Sequence, residues 1–158
     1  MTSPHVRELR LIADCVLAVP NRFTPERVSA ACATEFKEVR SGNPHVREFM
    51  AYPDCGPLAS IVFRSPLGLA SEVNALVIMR IARDIRITRA DVAARFELPI
   101  ERVRTDPRIP PEGTVSFISE RGARALHIRF DARSQLLRDM SVHENLGRSR
   151  HPGAGGLT

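Results

Sequence analysis

A chain of 158 residues, 43% of them hydrophobic, is long enough to bury a core, which excludes disorder throughout. The net charge of +5 and pI near 10.0 raise nucleic acid as a partner. All but one of the 23 basic residues are arginine, however, and they are interspersed with acids, as GC-rich coding gives without selection for phosphate contacts.

In chain order, Ser3-Pro4 places a cap and an N1 proline before Val6, Leu9, Ala13, Val16 and Leu17, which predicts a first helix over 4–19. Thr24-Pro25 repeats the start signal, and the stripe Val28, Cys32, Phe36, Val39 predicts a second helix from about 25 to 40. Ser41 to Pro44 stops it. A looser stretch through Phe49 and Tyr52 then leads to a strand, "LASIVFR", over 58–64. Residues 75–87 read as one long strand, with Val77, Met79, Ile81, Ile85 and Ile87 on one parity. Thr88 caps a third helix over 89–98, followed by a turn carrying Ile100 and Val103 and a proline-rich loop to Gly113. Three strands follow, over 114–119, 125–130 and 136–143, and the tail from 147 to 158 is expected to be disordered.

"RFTPERV" at Arg22 is echoed by "RITRADV" at Arg86, and the same shift of 64 superposes Val28 on Val92, Cys32 on Phe96 and Val39 on Val103. The predicted fold class is therefore α+β, with helices packed on one face of an antiparallel sheet, organised as two tandem helix-then-strands units. The units span 22–85 and 86–145 within one compact domain over 1–146.

From "ITRADVAARFELP" to "ALHIRFDARSQLLRDMSVHE", and more degenerately from Arg22, the pattern resembles the β-lactamase inhibitor proteins. Each half of those proteins looks like the small lipoprotein of the outer-membrane assembly machine. Similar tandem folds occur among immunity proteins that neutralise bacterial secreted toxins. The resemblance covers roughly residues 22–145 and implies a continuous sheet whose face binds one protein partner without catalytic groups. With no tryptophan and one tyrosine, Tyr52, the anchoring of such an interface falls largely to arginine.

Pairing the last two strands with Phe130 opposite Leu136 sets His127 across from Asp139, with Arg129, Ser141 and His143 on the same face, while Leu126, Ile128, Met140 and Val142 point inward. A His-Asp pair can act as an acid-base couple, but the commoner use of such a face is polar contact. No GxSxG, GxxxxGK[ST] or HExxH is present, and the five histidines lack ligand spacing, so neither catalytic residue, cofactor nor metal is expected.

The leading expectation is a non-enzymatic inhibitor or immunity-type protein whose partner-binding residues are His127, Arg129, Asp139, His143 and Tyr52. The alternative is a DNA-binding regulator using residues 88–105 as a helix-turn-helix, with Arg95, Arg102 and Arg104 on phosphates. Cysteines 15, 32 and 55 are odd in number and match no zinc spacing, which suits reduced thiols in the cytoplasm. A signal peptide and membrane span are not expected, because the first apolar segment contains Arg10 and Asp14.

Overall fold

Helices α1 (Pro4–Leu17), α2 (Pro25–Cys32) and α3 (Arg89–Phe96) each begin where a cap and a helix-compatible first residue coincide. The computed structural model describes residues 3–67, 75–96, 103–106 (backbone only) and 113–144. Thr24 Oγ1 accepts from the Arg27 amide at 3.1 Å. At α3 the exchange is reciprocal: Thr88 Oγ1 accepts from Asp91 N at 3.2 Å, and Asp91 Oδ2 accepts from Thr88 N at 3.0 Å. Ser3 occupies the α1 cap position without a side-chain bond, so that start rests on Pro4.

The strands are β1 (Lys37–Val39), β2 (Val46–Ala51), β3 (Leu58–Pro66), β4 (Leu76–Ile81), β5 (Val103–Asp106), β6 (Thr114–Arg121), β7 (Arg124–Asp131) and β8 (Leu137–Glu144). They form one sheet in the order β1-β2-β3-β4-β8-β7-β6-β5, every neighbouring pair antiparallel. Two four-stranded meanders, one after α2 and one after α3, thus meet along β4 and β8.

The protein is α+β, with the helices on one face of the antiparallel sheet. Strand alternation explains why. Phe49, Ile61, Phe63, Val77, Met79, Phe117, Ile128, Phe130, Met140 and Val142 share one parity across the registered strands and join Val6, Leu9, Ala13 and Val16 of α1 in one buried cluster. Burying a side chain of the size of Phe63 or Phe130 contributes about 1.5–3 kcal/mol. The other parity, from Met50 through Val62 and Ile78 to Ser141, His127 and Ile118, forms the face opposite the helices.

Four elements differ from the sequence reading. α2 stops at Cys32 rather than running to 40, because Ala33 turns left-handed (φ 50°) and Ser29 Oγ donates to Thr34 O at 2.6 Å. Phe36 then packs on the core from outside the helix, and Val39 lies in β1. β2 forms where only a loose stretch was expected; Arg47 and Glu48 broke the apolar pattern but pair with Glu38 and Arg64 on the flanking strands.

The long strand ends at Ile81, where Ile85 N bonds Ala82 O at 3.0 Å and folds the chain back. Ile87 is still fully buried, outside any strand, with its carbonyl accepting from Leu137 N at 2.8 Å. Residues 103–106 form β5 on the edge of the sheet rather than a turn and loop. The expected tail over 147–158 lies outside the described residues.

Candidate functional site

The β7–β8 hairpin carries the densest polar grouping on the open face. Its turn is closed by Asp131 N to Leu136 O and Gln135 N to Asp131 O, each 2.9 Å, with Gln135 left-handed at φ 60°. A bulge between Arg129 and Phe130 then resets the ladder. Phe130 consequently pairs with Leu137 rather than Leu136, Arg129 faces Asp139, and His127 faces Ser141. The expected His127-Asp139 pair is therefore corrected. The turn shifts the register by one residue and the bulge by one more, so each polar partner moves along by two.

Arg129 grips Asp139 with both arms, Nε to Oδ1 at 2.8 Å and Nη2 to Oδ2 at 2.5 Å. The Asp139 side chain is 6% exposed and that of Arg129 is 37% exposed, so the pair shows solvent mainly its cation. Arg80 of β4 faces Asp139 from the other side and is exposed.

His127 and His143 stack with ring centroids 4.1 Å apart and planes at 33°, and His143 Nε2 lies 3.0 Å from Ser141 Oγ. Burial, and then the Arg129 charge, hold the His143 pKa below the ordinary histidine value. At neutral pH the His143 ring is uncharged, which permits the stacking. Ser141 Oγ and His143 resemble half of a nucleophile-base arrangement, but among the described residues nothing hydrogen-bonds the second His143 nitrogen to orient it. Nor do three His, Cys, Asp or Glu side chains converge as metal ligands among those residues.

Of the five candidate residues, the structure gathers His127, Arg129, Asp139 and His143 on β7 and β8. Tyr52 is elsewhere. It follows β2, three strand spacings or about 14 Å from β8 across the sheet, and is 66% exposed with its hydroxyl 3.5 Å from Met50 Sδ.

The helix-turn-helix over 88–105 is not present as such. α3 ends at Phe96, residues 97–102 lie outside the described residues, and 103–106 are strand paired with β6. Arg102 thus cannot be placed, and Arg104 belongs to an edge strand.

Sequence reasoning missed a second polar pair on the same hairpin. Arg124 and Glu144 are register partners at its other end, on the helix side of the sheet. Arg124 Nη1 donates to Leu17 O at 2.9 Å and Val19 O at 2.6 Å, and Nη2 donates to Asn21 O at 2.6 Å and Glu144 Oε2 at 3.4 Å. Its guanidinium lies 4.2 Å from the centroid of Phe23, whose amide donates to Glu144 Oε2 at 3.1 Å. A signal existed: Arg124 shares parity with Leu126 and Ile128, and Glu144 shares parity with Met140 and Val142. Charges at the apolar positions of adjacent strands announce a buried pair.

No protein-family model matches the chain, and no curated protein or solved structure is significantly similar to it.

Proposed function

We propose that the protein is a non-enzymatic binding module whose open sheet face covers a cognate protein, in the manner of inhibitor and immunity-type proteins that neutralise targets such as secreted bacterial toxins. One observation carries this reading. The face opposite the helices sets half-buried apolar Met50, Ile78 and Ile118 beside pre-paired polar groups, Glu48–Arg64, Arg129–Asp139 and His127–His143. Such a mixture suits a protein surface, whose interface cores combine apolar area with fixed hydrogen-bonding groups. Phosphate tracking draws instead on uncommitted cations, and Arg64 and Arg129 are already neutralised by carboxylates.

Among the described residues no helix is long and apolar enough to cross a membrane. The three cysteines are free, which fits the proposed place of action in the cytoplasm.

The test is capture from the native host's lysate with nuclease treatment, followed by affinity measurement with the purified partner. Arg80→Ala and Ile118→Glu, both on the open face, should each weaken binding by about ten-fold or more, with little change in the urea midpoint. Arg7→Glu, on exposed α1 surface, should bind like the parent. Unchanged affinity in both open-face variants removes that face from consideration. Loss of all retention after nuclease transfers the function to nucleic acid.

A further inference from the structure

A second concavity lies away from the β7–β8 hairpin, between α1, the end of α2 and the β1–β3 side of the sheet. Its volume is about 970 Å³, at the upper end of the range for small-molecule sites. Leu11, Ile12, Val39, Met50, Leu58 and Ile61 contribute apolar wall. Leu11 and Tyr52 border it while 61% and 66% exposed, which leaves apolar surface at the rim for a ligand to cover. The Cys32 thiol also lines it, 7% exposed and without a hydrogen-bond partner among the described residues.

The polar groups of the wall are unequal in sign. Glu8, Glu35 and Asp54 face one Lys37, and none of these four forms an ion pair among the described residues. Glu8 reaches from α1 to the loop after β2. Its Oε1 stands 2.7 Å from where a Cβ on Gly56 would be, and Gly56 has φ +91°, so a side chain there would meet both strain and the carboxylate. This contact puts a negative charge beside the apolar wall of a chain whose net charge is +5.

From this cavity and its charge we infer a ligand site for a small molecule with an apolar, aromatic-sized body and a positively charged amine. The body lies along Leu11 and Ile12 with Tyr52 at the rim, and the amine meets Glu8. Tyr52 adds cation-π attraction to the same sign of charge. The site shares none of the β7–β8 residues and only Met50 with the open face, so it can be tested apart from the open-face reading.

Three matched probes test it: phenylbutylamine, phenylbutyrate and phenylbutanol. The cysteines supply the reporter. Cys55 is exposed within the lining, Cys15 is exposed outside it, and burial pushes the Cys32 thiol up to about 12, leaving it unreactive at neutral pH. Phenylbutylamine should slow Cys55 alkylation saturably while leaving Cys15 unchanged, and phenylbutyrate should require about five-fold more ligand or fail. Glu8→Gln should reduce the preference for the amine over the alcohol by about two- to five-fold. General attraction to this basic protein would favour the acid instead. Equal or stronger protection by phenylbutyrate, equal protection of Cys15, or no saturable protection by the amine overturns the assignment.

Discussion

The β7–β8 hairpin holds two arginine-carboxylate pairs built from the same chemistry on opposite faces. Arg124–Glu144 looks toward the helices, with side chains 9% and 4% exposed; Arg129–Asp139 looks away, at 37% and 6%. Parity alone separates them, since 124 and 129 differ by an odd number of residues along one strand. The inner guanidinium spends its donors on carbonyls of the chain leaving α1, and so fastens the α1–α2 connection to the sheet. The outer one grips the Asp139 carboxylate with two of its donors and is partly exposed to solvent. A surface pair and a structural clasp are thus the same motif with different surroundings.

The largest effect should come from breaking the clasp. Arg124→Met should cost about 3–5 kcal/mol in urea unfolding, because three backbone carbonyls and the Glu144 carboxylate lose their buried partner. A loss below about 1 kcal/mol would mean that water replaces the guanidinium, and the contrast between the pairs would collapse.

Arg129→Gln should cost less, about 1.5–3 kcal/mol before solvent screening, since Asp139 stays buried but its partner was already half in water. The burial of Asp139 decides which substitution best probes this face. Arg129→Glu sets a second carboxylate against buried Asp139 and would damage the fold together with the surface. Exposed Arg80 is the cleaner position when truncated to Ala, since a reversal there would also face Asp139.

The smallest effect is a pH slope. His143 binds its proton less readily folded than unfolded, so its neutral form favours folding. The contribution is complete above the unfolded value near 6.5 and is lost as pH falls through the folded value. His143→Gln should flatten this part of the stability-pH curve. An unchanged slope would relocate the titration to another group.

Much of this fold was legible because local signals and burial agreed. The caps at Thr24 and Thr88 and the apolar stripe of α1 each specify an element without help from the rest of the chain. β3, β6, β7 and β8 were also visible from β-branched content and turns. Legibility failed where a side chain is stabilised by a distant partner. β2 carries charges whose partners sit on β1 and β3, and Ile87 is buried by the β8 start rather than by its own strand. Likewise, the four gathered site residues could be named from strand parity, but their pairing could not, because the turn and one bulge each shifted it by a residue.

The β4–β8 seam has a consequence for how the molecule is made. β8 is the last of the eight strands to be synthesised and stands in the middle of the sheet. Until it leaves the ribosome, the edges of β4 and β7 that it will join lack their partner, with Val77, Met79 and Ile128 beside them. Local meanders can zip early, yet the full sheet awaits a contact between residues roughly sixty positions apart in sequence, so its closure waits on the synthesis of β8.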